Sequence, residues 1–120
     1  MLIVDDNADA SEALGMLVET AGNEVQYASH ATTALELAAR WRPDVCLLDI
    51  GLPDIGGYQL AGLLRSKAEA AKTVLIAVTG YGLPQDKQKA LAAGFDHHFV
   101  KPVDFKALLG LLGEIASTKI

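Results

Sequence analysis

Five side chains of this sequence could do chemistry together, and each stands at the end of a short apolar run. Asp5 and Asp6 follow Leu2-Ile3-Val4, Asp49 follows Val45-Cys46-Leu47-Leu48, Thr79 follows a run from Val74 to Val78, and Lys101 follows Phe99-Val100. If these runs are strands of one parallel sheet, their carboxyl ends share the rim where open α/β sheets bind ligands. Three clustered carboxylates without a counter-ion repel one another, and one tends to take up a proton. A hard divalent cation relieves that repulsion. Mg²⁺ (or Mn²⁺) suits a site with few carboxylates, a backbone carbonyl and retained waters. Asp49 can then serve as ligand or nucleophile, since carboxylates form covalent phosphoryl intermediates. The cation can bridge that nucleophile and the phosphoryl oxygens in an in-line transfer. Thr79 can donate a hydrogen bond to a phosphoryl oxygen, and Lys101 can hold another as a point charge. These parts describe a phosphoryl acceptor with no bound nucleotide and no glycine-rich phosphate cradle.

The elements that must position these residues alternate along the chain. Apolar residues at 10, 14, 17, 18 and 21 predict an amphipathic helix, which Gly22 and Asn23 stop. Glu24–Ala28 reads as a strand. Ala31, Ala34, Leu35, Ala38 and Trp41 stripe a second helix that ends before Pro43. The continuous run Val45–Leu48 marks a strand buried on both faces. Leu60, Leu63 and Leu64 suggest a helix after Gly56-Gly57, and Thr73–Thr79 is the strongest buried strand. Pro84 suits the first turn of a helix that closes at Gly94. His97–Lys101 reads as a short strand, and Phe105, Leu108, Leu109, Leu112 and Ile115 stripe the last helix. Five strands alternating with five helices imply an α/β fold: a doubly wound parallel sheet with helices on both faces and right-handed crossovers.

Composition narrows the function. At 120 residues and 51% hydrophobic, the chain makes one domain with a real core. No apolar run is long enough to span a membrane, and no secretory signal precedes the first strand. The single cysteine, Cys46, excludes an internal disulfide and fits a cytoplasmic setting. Residues 1–60 carry ten acidic and two basic side chains, against five and eight in residues 61–120. An acidic first half argues against direct nucleic-acid binding and favours a cation site. The first strand begins at residue 2 and the last helix runs to the C-terminus. We therefore expect one domain, residues 1–120, excised from a longer protein, with a stand-alone protein as the alternative.

Over nearly its whole length the chain resembles the receiver domains of two-component response regulators. The matching pieces are LIVDDN at 2–7, DVCLLDIGLPD at 44–54, LIAVTGYG at 75–82 and AGFDHHFVKPV at 93–103, in order. The last two are similar in wording to receivers attached to hybrid sensor histidine kinases. The resemblance implies a flavodoxin-like sheet of order 2-1-3-4-5. It implies that Asp49 is the phospho-acceptor and Asp6 a direct Mg²⁺ ligand, with Asp5 acting on the metal mainly through water. The backbone carbonyl of Gly51 would be a further ligand. Thr79 would be the switch hydroxyl and Lys101 the phosphoryl-binding lysine, with a cis bond to Pro102. His98 stands where a switch aromatic, usually Tyr or Phe, is found. Implied partners are a sensor histidine kinase or a phosphotransfer protein, with a homodimer through the fourth helix, fifth strand and fifth helix as a further option.

The chain departs from the family pattern at several places. Gly56 stands where many relatives carry Asp at the start of the third helix, which weakens that cap. Gly51 and Tyr81 flank the approach of water to the phosphoryl group, where a glycine cannot orient water and a tyrosine can block it. His98 keeps a flat ring but adds titration near neutrality. Plainer readings stand beside these. Asp5-Asp6 alone could cap a helix. His97 and His98, adjacent on a strand, point to opposite faces and cannot easily share a metal. His30 reads as a surface residue, and Cys46 and Trp41 read as core. Two other functions compete with a phosphorylation-controlled switch. One is a Mg²⁺-dependent phosphohydrolase with an aspartyl-phosphate intermediate, disfavoured because Gly51 stands where a general-acid aspartate would. The other is a degenerate receiver used only for docking, disfavoured by the intact set of five side chains.

Overall fold

The computed structural model describes residues 1–41, 43–50, 56–67, 73–80, 84–101 and 103–118, with the side chains of 84–87 and 116–118 left aside. Along the chain run β1 (Leu2–Val4), α1 (Ala8–Thr20), β2 (Gln26–Ala28), α2 (Ala31–Trp41), β3 (Val45–Asp49), α3 (Gly57–Ser66), β4 (Val74–Thr79), α4 (Pro84–Ala93), β5 (His97–Val100) and α5 (Phe105–Thr118). All strand pairs are parallel, and the sheet order is β2-β1-β3-β4-β5. The alternation read from the sequence is therefore the fold. Three strands are shorter than expected: β2 begins at Gln26, β4 at Val74, and β5 stops at Val100.

The pleat splits the interior into two cores, because successive side chains leave a strand on opposite faces. Leu2, Val4, Cys46, Leu48, Leu75 and Ala77 join α2, α3 and α4 through Ala34, Leu60, Leu64 and Ala90. Ile3, Val45, Leu47, Ile76 and Val78 join α1 and α5 through Val18, Leu108, Leu112 and Ile115. Covered on both sides, β3 and β4 carry uninterrupted apolar runs up to Asp49 and Thr79. Cys46 lies in this interior, and burial pushes its thiol up to about 12, so it remains a neutral core residue.

The first helix departs from expectation. Its buried positions are Ser11, Gly15 and Val18, whereas Ala10, Leu17 and Ala21 of the expected stripe are exposed and Leu14 is half-buried. The cause is the Tyr27 ring, which lies over Gly15. A Cβ on Gly15 would come within 2.0 Å of the Tyr27 hydroxyl oxygen. The helix thus docks through small residues that permit close approach, rather than through its largest apolar ones. Trp41 packs, half-buried, against the α2–α3–α4 core, and His30 is exposed, both as expected.

Arg65, at the end of α3, ties together the loops that enter β4 and β5. Its Nε–H donates to the Gly94 carbonyl at 2.9 Å, and a terminal N–H donates to the Thr73 carbonyl at 2.6 Å. The other terminal nitrogen pairs with Asp96, whose same oxygen accepts the Leu75 N–H. Arg65→Met should leave two carbonyls and a carboxylate short of a donor. We expect a loss of about 2 kcal/mol, read as a lower urea midpoint at unchanged slope.

Candidate functional site

The carboxyl edge of the sheet assembles the site. β1 ends at Val4, and the Asp5 N–H donates to the Ala28 carbonyl at 3.0 Å, which holds Asp5 in line with the sheet. Asn7, not either aspartate, caps α1: its side-chain oxygen accepts the Ala10 N–H at 3.1 Å. Asp5 accepts the Asn7 N–H at 2.9 Å. Sequence reading missed Asn7, although an asparagine directly before a helical stripe is the usual signal. Its presence leaves Asp5 and Asp6 available for the site. On the neighbouring strand Asp49 is 8% exposed, and the Ile50 N–H donates to the Val78 carbonyl.

Lys101 reaches across from the end of β5. Its Nζ donates to Asp49 Oδ2 at 3.1 Å and lies 3.8 Å from Asp5 Oδ2. Its own N–H donates to the Thr79 carbonyl at 2.8 Å, so the strand pairing that carries Thr79 also fixes the start of the lysine side chain. Thr79 is 5% exposed, and its Oγ1 shares a 2.8 Å hydrogen bond with Nε2 of His98. His98 therefore lies beside Thr79, two residues out of register with it in the β4–β5 ladder, where its partner is Ala77. One carboxylate oxygen from each of Asp5, Asp6 and Asp49 lies within 4.8 Å of the others. The carbonyl of Gly51, the Tyr81 side chain and the Lys101–Pro102 peptide bond fall outside the described residues.

Charge sets the behaviour of this cluster. Burial, the largest influence, pushes the Asp5 carboxyl above its ordinary value, and the charge of Asp49 adds to it. The Asn7 N–H and Lys101 act against that rise. For Lys101, burial works to lower the ammonium, but the hydrogen bond to Asp49 and the charges of Asp49, Asp5 and Asp6 outweigh it, so its value is raised. The donor set is hard oxygen with excess negative charge, which fits a small divalent cation such as Mg²⁺. Beneath the cluster a cavity of about 520 Å³ opens between the sheet, α1 and α5, with Leu14, Leu47 and Phe105 among its apolar walls.

The raised Asp5 value has a consequence for stability without added metal. Protonated Asp5 favours the folded state, so its stabilisation is full below the ordinary 3.8 and is lost as pH rises through the raised folded value. In EDTA, Asp5→Asn should gain stability relative to the native chain as pH rises from about 4 to about 7. Paired urea titrations across that range check it, and parallel curves would contradict it.

An acidic cluster at the carboxyl edge of a 2-1-3-4-5 sheet, with a lysine closed onto the β3 aspartate, is the arrangement of CheY-like flavodoxin-fold signalling domains. The chain belongs to the response regulator receiver domain family, which it matches over residues 1–112. It is 38% identical over 112 residues to the transcriptional regulatory protein KdpE of Mycobacterium tuberculosis, covering 93% of this chain and 48% of that protein. It is 30% identical to the signal transduction histidine-protein kinase BarA of Escherichia coli, again over 93% of this chain but only 12% of the kinase. Among solved structures it superimposes on the chemotaxis response regulator CheY4 of Vibrio cholerae. The TM-score is 0.87 at 28% identity, covering 95% of each chain. The chain is thus a receiver domain of two-component signalling, and it spans about half or less of these two larger relatives. Among the described residues, no helix is long and apolar enough to cross a membrane.

Proposed function

We propose that Asp49 accepts a phosphoryl group from a phosphohistidine donor, with Mg²⁺ held by Asp5, Asp6 and Asp49, and that the adduct switches an interaction surface. The observation that carries this reading is the Lys101 ammonium 3.1 Å from Asp49 in a pocket with two further carboxylates. The lysine holds the Asp49 carboxylate by a hydrogen bond at the edge where a phosphoryl group would arrive. In the transfer, the P–N bond to the donor imidazole breaks as a P–O bond to Asp49 forms, and the imidazole, already protonated on its other ring nitrogen, leaves neutral. Bound there, Mg²⁺ supplies charge neutralisation for the phosphoryl oxygens. Lys101 then turns its ammonium to one phosphoryl oxygen, and the Thr79 hydroxyl donates to another. Because Thr79 also bonds His98, its movement reaches β5 and the adjoining faces of α4 and α5. That face is the surface we expect partners, or a second copy, to read.

The donor is a sensor histidine kinase or a phosphotransfer protein, and the domain works as part of a longer cytoplasmic signalling chain. The likeness to a transcriptional regulator and to a histidine kinase supports both contexts. Incubation with Mg²⁺ and a small acyl phosphate should give a single phosphoryl adduct by intact mass, and EDTA should abolish it. Complete absence of the adduct would overturn the proposal. Steady release of phosphate from a model monoester would instead indicate a phosphohydrolase.

A further inference from the structure

The cavity between α1 and α5 is apolar along its length and charged at one end, and the two features together describe a ligand. We propose that it is a binding site for a small cationic amphiphile, a primary amine whose ammonium meets Asp5 and whose aliphatic or aryl tail fills the cavity. The inference goes beyond the reading of Asp49 as phospho-acceptor and does not depend on it.

The cavity arises from how α1 is seated. Tyr27 is the register partner of Ile3, and its ring lies against Gly15, so the helix settles towards the β2 side of the sheet. Further in, Leu47 of β3 and Val78 of β4 floor a gap of about 520 Å³ between α1 and the start of α5. Leu14 and Leu17 of α1 and Phe105 of α5 wall it. Leu17 is 48% exposed beside this gap, so apolar surface is left in water there. The volume lies within the range of about 300–1,000 Å³ found for small-molecule sites, which are mostly apolar with a few placed polar groups.

The polar groups sit at the carboxyl edge of the sheet. Alternate residues of a strand share a face. Asp5, Asp49 and Lys101 carry on the alternation of Ile3, Leu47 and Phe99, which face α1 and α5, and all three border the cavity. Lys101 lies 3.1 Å from Asp49 and 3.8 Å from Asp5, and so offsets one of the three carboxylates whose oxygens lie within 4.8 Å of one another. The surplus is negative. Without a divalent cation it repels a carboxylate head group and attracts an ammonium. An ammonium has three donors and no acceptor, which matches carboxylate oxygens. A tail on that head then lies between Leu14 and Leu47, and a divalent cation at the same carboxylates would compete with the amine. Thr79 and His98 follow the opposite alternation, that of Ala77, so the ligand leaves them untouched.

The test is calorimetric titration of the native chain, in EDTA at neutral pH, with butylamine, hexylamine and octylamine. Octylamine should bind saturably and once per chain, and each added methylene should tighten binding about fourfold. Octanoate, with the same chain length and the opposite charge, should bind about tenfold more weakly than octylamine. Asp5→Asn should weaken octylamine about tenfold, the scale of a hydrogen bond between charged groups, and leave octanol unchanged. Ala13 is an exposed α1 residue on the cavity wall, so Ala13→Trp should keep the native circular dichroism and weaken octylamine about tenfold by filling the space. Ala10→Trp, at the same wall, is the second variant. Equal binding of octylamine and octanoate would overturn the head-group assignment. Affinity that ignores chain length, or that survives both tryptophan variants, would overturn the cavity as the site. Self-association of the chain in sedimentation, blocked by Ala13→Trp and with no amine bound, would assign the face to a second copy instead.

Discussion

Asp49→Asn is expected to abolish phosphoryl adduct formation altogether while leaving the fold intact. An amide oxygen carries no charge and cannot take the phosphoryl group as a carboxylate does, so the loss is of the nucleophile and not of a supporting contact. The side chain keeps its size in a pocket where the native residue is 8% exposed, so the packing of β3 between the two cores is undisturbed. Two further effects follow from the charge removed. Asp49 is one of the groups that raise Asp5, so the Asp5 carboxyl should move back towards the ordinary carboxylate range. Asp49 is also the main group that raises Lys101, through its hydrogen bond and its charge, so the ammonium should become easier to deprotonate. Mg²⁺ affinity should fall at least tenfold, since one of three anionic donors is gone. Intact mass after exposure to an acyl phosphate, Mg²⁺ titration by calorimetry and far-UV circular dichroism together check these outcomes. An adduct on the variant at the native rate would mean that another residue is the acceptor.

How far such outcomes can be foreseen from sequence differs between the sheet and its attachments. β3 and β4 announce themselves because both of their faces are covered, which forces an unbroken apolar run. The strand ends were legible for the same reason: Asp49 and Thr79 are the first polar residues after those runs. That Lys101 would close on Asp49 and Asp5 follows from the sheet order, which places β5 beyond β4 and sends a long side chain back across it. The docking face of α1 was only partly legible: Val18 of the expected stripe is buried, but Gly15 lies under the Tyr27 ring, and smallness does not register in a hydrophobic pattern. Nor was the 2.8 Å bond between Thr79 and His98, which depends on the relative register of two strands. Register is a long-range property, and a single-chain pattern specifies only which face a residue takes.

Gly57 escaped the sequence reading in the same way, and its substitution carries the second large effect. A Cβ at position 57 would sit 2.6 Å from the Ile50 Cα and 2.9 Å from the Asp49 carbonyl oxygen. Both are backbone atoms, so no rotamer change relieves the contact. Only Gly22 and Gly94 show positive φ among the described glycines, so position 57 requires glycine for space and not for dihedral freedom. The Gly57 N–H donates to the Ile50 carbonyl at 3.0 Å, which seats the start of α3 against the segment that carries the acceptor. Gly57→Ala must therefore push α3 off the end of β3 or displace Asp49 itself. Overpacking of this kind costs about 2–3 kcal/mol. A shift near 1 Å at the reacting carboxyl slows transfer about ten- to a hundredfold. The contrasting substitution lies five residues further on. Gly62 is exposed in the interior of the same helix, and a Cβ there meets nothing within 4 Å. Gly62→Ala should stabilise by about 1 kcal/mol through helix propensity and leave the phosphorylation rate unchanged. Urea midpoints and single-turnover adduct formation on the two variants separate the effects. If Gly57→Ala matched Gly62→Ala in both measurements, the close seating of α3 against the acceptor strand would be refuted.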